Sequence, residues 1–146
     1  MSHVLAVLEQ RDGALRKVSY EVVTGARRLA DALGGSVDAL ILASGAVKGT
    51  EQVGRYGADK VITLTNPAFA LYAPEGYART IAERIKSGSY GAVVFAASAT
   101  GKDLAPRVAA RLGRPLAQDV VDLAVENGAV TDPPGVRGEG VAEAQG

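Results

Sequence analysis

Apolar residues fall along this chain in short blocks that alternate between two periods. Val4 to Leu8 (VLAVL), Val37 to Ala43 (VDALILA), Lys60 to Leu64 (KVITL) and Ala92 to Ala97 (AVVFAA) are near-continuous apolar runs. The first suits a strand buried on both faces, and the others read as the second, third and fourth strands. Between them the period is helical. Val18, Val22, Ala26, Leu29, Ala30 and Leu33 share one helical face, with Ser19 as the expected N-cap and Gly34-Gly35 as the stop. A short helix is expected from a Thr50 cap to Tyr56, ended by Gly57. Pro74 suits the first position of the next helix, where a missing N–H costs nothing. Tyr77, Ala78, Ile81, Ala82 and Ile85 form its buried stripe, and Gly88 stops it. A last helix ends near Arg111.

The stretch QDVVDLAVE alternates instead. Val121, Leu123 and Val125 share one face, and Asp122 and Glu126 lie on the other, as in an edge strand wet on one side. Asn127-Gly128 signals a two-residue hairpin, and Pro133-Pro134 ends its return arm. Strands separated by helices imply right-handed crossovers and a parallel sheet. The expected fold is therefore α/β. It is a three-layer, doubly wound parallel sheet of order 3-2-1-4-5, counting strands along the chain, with a C-terminal hairpin arm. Residues 1–130 form one domain, and residues 131–146, rich in Gly and Pro, form a linker or mobile tail.

Composition narrows the chemistry. At 146 residues the chain is one domain's length, and it can bury roughly 68–70% of its unfolded surface without a staple. It has no cysteine, which excludes disulfides, thiolate-bound metals and thiol catalysis within it. Sixteen Lys and Arg balance sixteen Asp and Glu, so no charge excess points to nucleic acid or an anionic membrane. No signal peptide or apolar run of bilayer length appears, and a cytoplasmic protein without membrane insertion is expected.

The candidate site is the junction after the fourth strand, Ser98-Ala99-Thr100-Gly101-Lys102. In a doubly wound sheet, ligands favour the crevice where strand order reverses, here between the first and fourth strands. Small residues, a glycine, a lysine and a helix N-terminus are the parts of an anion site. The rest of a phosphate loop is missing: position 96 is Ala, Asp103 stands where a Ser or Thr would hold magnesium, and no GxGxxG occurs. Glu9 and Asp12, against Arg11, bring acids to the facing loop. Asp103 is the expected cap of the last helix, because Pro106 then falls at its third position and removes no hydrogen bond. On that reading Ser98 to Lys102 is an exposed loop whose plain reading is a well-capped turn, and if the junction faces a partner, the expected contact residues are Ser98, Thr100, Gly101, Lys102 and Arg107, which converge at one end of the fourth strand and its helix. No catalytic, cofactor-binding or metal-ligating residue is assigned. The lone histidine, His3, allows no triad or multi-histidine site beyond itself and reads as a strand-end residue. SGAVKGT, Ser44 to Thr50, reads as a loop leading to a cap. Tyr72 and Tyr77 read as packing, and Arg107 with Arg111 as a solvated helix face open to an acidic partner.

Motif order then adds a family. VLAVLEQRDGAL, YGADKVITL and YGAVVFAASATGKDLAPRVAARLGRPLAQDVVDL, spread over about residues 3–130, resemble the N-terminal domain of the electron transfer flavoprotein α subunit. The resemblance implies an adenine-nucleotide-hydrolase-like fold that itself binds no nucleotide. It implies pairing with a β subunit that carries AMP, with FAD held by the α subunit's C-terminal domain. The holoprotein then takes electrons from flavin dehydrogenases. For this chain it implies an interaction and scaffold domain, not an enzyme, with no cofactor of its own. Homo-oligomerisation of the isolated domain stays open. The family's passage into the flavin domain is matched only loosely by VTDPPGVRGEGVAEAQG, so no flavin contact is carried over. The alternative is a stand-alone nucleotide-binding module of universal-stress type, which uses the same layers.

Overall fold

The computed structural model describes residues 3–88, 90–113, 116–120, 124–126, 129–131 and 140–144. The strands are β1 (His3–Val7), β2 (Gln10–Arg11), β3 (Ala14–Leu15), β4 (Val37–Ala43), β5 (Lys60–Thr65), β6 (Tyr90–Ala96), β7 (Leu116–Val120), β8 (Ala124–Glu126), β9 (Ala129–Thr131) and β10 (Gly140–Ala144). The α-helices are α1 (Val18–Leu33), α2 (Pro74–Gly88) and α3 (Ala99–Leu112), and Thr50–Tyr56 and Pro67–Phe69 are 3₁₀ turns.

The main sheet runs β5-β4-β1-β6-β10-β7 with every pairing parallel. Its first four strands reproduce the expected 3-2-1-4 arrangement. Beyond β6 the order differs, because β10 stands between β6 and the strand expected fifth. The sequence reading placed Gly140–Ala144 in a linker or tail. Its residues, GVAEA, carry one β-branched side chain, so the strand is set by pairing on both sides and not by propensity. The antiparallel pair β8–β9 forms the hairpin arm, with Glu126 opposite Ala129. Val121 and Leu123, part of the expected alternating face, lie outside the described residues.

Strand alternation divides the core. Val4 and Ala6 of β1 face α1 with Val22, Ala26 and Ile41. Leu5 and Val7 face α2 and α3 with Ile81, Phe95 and Val108. The result is the three-layer doubly wound architecture. It brings the C-terminal ends of β1 and β6 together at the reversal of strand order.

The Thr50–Tyr56 turn is capped by Gly49 with no side-chain hydrogen bond, not by Thr50 as expected, and two α-helix starts also differ from expectation. Lys17 precedes α1 and makes no side-chain cap. Ser19 is buried, and its hydroxyl donates to the Glu9 carbonyl at 2.8 Å while accepting the Glu9 N–H at 2.9 Å. The second correction is larger. α3 begins at Ala99, capped by Ser98, not at Asp103. The Ser98 hydroxyl accepts the Gly101 N–H at 3.1 Å, so the loop of Ser98 to Lys102 is mostly helix. Pro106 then lies inside α3 and leaves the Lys102 carbonyl without its helical donor. Both residues are on the exposed face, where water can serve that carbonyl.

Candidate functional site

A cleft of about 190 Å³ opens at the ends of β1 and β6. Val7, Leu42, Ile81, Phe95 and Leu104 supply its apolar floor, and Tyr72 and Tyr77 a wall. Glu9, Gln10, Arg11, Asp12, Arg16 and Thr100 bring polar groups to it. Gln10–Arg11 and Ala14–Leu15 form a tight hairpin around Asp12 (φ +53°) and Gly13 (φ +80°). Asp-Gly is the residue pair for such a turn, so this hairpin was legible as a two-residue signal and was missed. Lys48 N–H donates to the Gly13 carbonyl at 2.8 Å, which fixes the hairpin to the loop after β4. Arg11 and Asp12 stay exposed at its tip.

Glu9 organises the centre. One carboxylate oxygen accepts a hydrogen bond from the Ser98 hydroxyl. The other pairs with Arg16 Nη1 at 2.8 Å. The Glu9 side chain is 10% exposed. Its backbone is held on both sides, by Ser19 and by the Arg16 N–H, which donates to the Glu9 carbonyl at 2.9 Å. A carboxylate of the chain itself thus stands where the first and fourth strand loops meet, beside the N-terminus of α3. Three of the donors near it are engaged. Arg16 is paired, the Gly101 N–H is given to Ser98 Oγ, and the Lys102 N–H to the Ser98 carbonyl at 2.9 Å. These three donors are therefore not available to a nucleotide phosphate as they stand.

The expected contact residues separate by environment. Ser98 is half-buried in the clamp, and Thr100 lines the cleft. Gly101 is buried, and a Cβ there would lie 1.8 Å from the Ala96 carbonyl oxygen, so glycine lets α3 pack against the end of β6. Lys102 is exposed, with no side-chain partner among the described residues. Arg107 is engaged, pairing with Glu75 at 2.6 Å and with Asp103 at 3.3 Å. Arg111 also reaches Glu75, at 2.9 Å. Arg107 and Arg111 thus join α3 to the start of α2, and are not the free basic face expected of them. Arg111 and Arg107 hold the Glu75 carboxyl below its usual range. Tyr72 is more than packing. Its hydroxyl donates to Asp103 at 2.6 Å, which lowers the Asp103 carboxyl, while burial and that carboxylate push the Tyr72 phenol well up. The proton stays on the tyrosine. Leu71, at the lip of the cleft, is 81% exposed.

Among the described residues no cluster of three or more His, Asp or Glu could seat a metal, and no helix is long and apolar enough to cross a membrane. His3 sits at the start of β1 against Ser36, 2.5 Å from its hydroxyl, far from the cleft in sheet register.

The model of the electron transfer flavoprotein domain matches residues 4–144. The chain belongs to this family. Protein FixB of Clostridium saccharobutylicum is 39% identical over 122 residues, which are 82% of this chain and 36% of that protein. Electron transfer flavoprotein subunit alpha of Bacillus subtilis is 33% identical over 127 residues, 87% of this chain and 38% of that one. The electron transfer subunit beta of acryloyl-CoA reductase from Anaerotignum propionicum is 31% identical over 118 residues, 81% of this chain and 32% of that one. The chain spans about a third of the length of these relatives. Two of these three relatives are named for electron transfer.

Proposed function

We propose that this chain is the N-terminal scaffold and interaction domain of an electron transfer flavoprotein α subunit. It pairs with the β subunit and holds the flavin-bearing part of the protein in place. In the assembled cytoplasmic protein, FAD belongs to the C-terminal domain and AMP to the β subunit. This chain holds neither, and electrons arrive from flavin dehydrogenases through the whole assembly.

The observation that carries this reading is the Glu9 clamp. A nucleotide-binding fold whose phosphate position is closed by its own carboxylate keeps the shape of the fold and gives up the ligand. The same clamp counts against a stand-alone nucleotide module. The partner surface is the outer side of this clamp. Ser98 and Thr100 border it, Gly101 sets the height of α3, Lys102 offers positive charge there, and Arg107 adds a polar group already paired with Glu75 and Asp103. Leu71 adds the apolar contact that an interface core needs.

Co-purification with the tagged cognate β subunit tests the proposal. The chain is expected to elute with the β subunit, and Lys102→Glu to weaken retention. Passage of the wild-type chain through the β-subunit column unretained overturns it. The visible spectrum adds a second arm: the chain stays colourless after incubation with FAD and desalting, and a stoichiometric yellow complex would contradict the reading.

A further inference from the structure

The cleft itself is left open by the clamp that closes its anion position. We propose that it is a binding site for an uncharged planar ring compound, and that Glu9 is the residue that excludes phosphorylated forms of that compound.

Size sets the first limit. An apolar cavity of about 150 Å³ is enough for benzene. The 190 Å³ here accepts one or two fused rings and is too small to enclose a whole nucleotide. The lining sets the second. Val7, Leu42, Phe95 and Leu104 offer carbon surface. Tyr72 and Tyr77 stand edge to face, 5.1 Å apart at 87°. Both of their hydroxyls are engaged, with Asp103 and with the Phe69 carbonyl, so they present rings to the cleft and not free polar groups.

Polar groups remain for the edge of a ring. The Thr100 hydroxyl has no side-chain partner among the described residues. The Gln10 amide nitrogen makes one long bond, 3.4 Å, to the Leu42 carbonyl and can exchange it for a better acceptor. Charge sets the third limit. The Glu9 carboxylate is fixed inside the cleft, its Arg16 counter-charge is paired, and the exposed tip carries Arg11 beside Asp12, which offset each other. An incoming phosphate meets the Glu9 carboxylate at close range and finds Arg16 and Ser98 already committed to it.

Amide-resolved NMR titrations of the full chain test this with three probes: indole, adenosine and AMP. Indole and adenosine are expected to shift the amides of Val7, Thr100 and Leu104 saturably, with AMP at least about tenfold weaker than adenosine. Raising the salt concentration should narrow that gap in the wild type, because the exclusion is electrostatic. Glu9→Gln keeps an acceptor for Ser98 and should narrow it as well. Thr100→Val should weaken adenosine more than indole. No saturable shift with indole or adenosine overturns the proposed site. Equal affinity for AMP and adenosine in the wild type, or a gap unmoved by salt, overturns the role of Glu9.

Discussion

Glu9 and Ser98 lie 89 residues apart in sequence and share a hydrogen bond at the reversal of strand order. One residue ends the first strand loop and the other caps α3. Arg16 completes the contact from the opposite side. A three-part polar clamp therefore ties the two halves of the sheet at the place where related architectures open to admit a ligand.

Ser98→Ala removes two bonds at once, the cap to Gly101 and the tie to Glu9. Loss of an N-cap costs about 1 kcal/mol, and the mostly buried Glu9 carboxylate loses a donor in addition. Chemical denaturation should show a lowered midpoint. Ser98→Thr, which keeps the hydroxyl, should recover most of it.

Gly101 and Gly25 should respond in opposite directions to alanine. At Gly101 the added Cβ meets backbone, 1.8 Å from the Ala96 oxygen, so α3 must move away from β6. Overpacking of that kind costs about 1–3 kcal/mol. At Gly25, inside α1, nothing lies within 4 Å of the added carbon. There alanine should stabilise by up to about 1 kcal/mol through helix propensity. Thermal melts of the two variants check both signs.

Asp59 links acid stability to the start of β4. Its carboxylate accepts the Val37 N–H at 2.8 Å and pairs with Arg27 at 2.9 Å. The backbone bond first, and Arg27 after it, hold its pKa below the ordinary 3.8. A lowered carboxylate stabilises the fold above its unfolded value, and that contribution is lost as pH falls through the folded one. Asp59→Asn should therefore cost stability near neutrality, by about 1 kcal/mol for a hydrogen bond to a half-exposed group, and flatten the acid limb of the stability–pH curve.

Tyr90 contributes to the alkaline side. Burial, and then its 2.6 Å bond to Asp38, push its phenol from 10.0 to about 12. The unfolded tyrosine loses its proton first, so stability present below pH 10 is lost as pH rises toward 12. Phenolate absorbance should show a late-ionising class of tyrosines. Tyr90→Phe should shrink that class and soften the alkaline loss of stability.

At the proposed partner surface, Lys102 and Arg107 should behave differently. Lys102→Glu changes an exposed side chain and should weaken β-subunit binding while leaving the melting temperature nearly unchanged. Arg107→Glu also breaks contacts to Glu75 and Asp103, so it should lower both binding and stability. Surface plasmon resonance paired with thermal melts separates the two effects.

The layers of this fold were readable because apolar period follows burial, except at the sheet's edge, where the apolar run of β5 stays largely exposed. Val37–Ala43 is buried almost throughout, and α1 and α2 bury the stripes their spacing predicts. Local chemistry was readable only in part. Pro106 argued for a late helix start, yet the Ser98 cap and close packing at Gly101 outweighed one missing hydrogen bond on a solvent-facing turn. Ser19 looked like a cap because serine caps helices, but its hydroxyl is spent on Glu9, a partner ten residues away. β10 carried no sequence signal, since Gly and Ala dominate it and its pairing comes from strands far along the chain. The acids at the cleft mouth were legible in the sequence. That Glu9 alone occupies the position, steadied by Arg16 and Ser98, depends on long-range contacts that spacing does not encode.

Calorimetric titration of AMP and ATP into the wild-type chain tests the closed anion position most directly. The clamp predicts no saturable heat at micromolar concentrations. Micromolar binding of either nucleotide, with the Val7, Glu9 and Thr100 amides shifted in the complex, would contradict it.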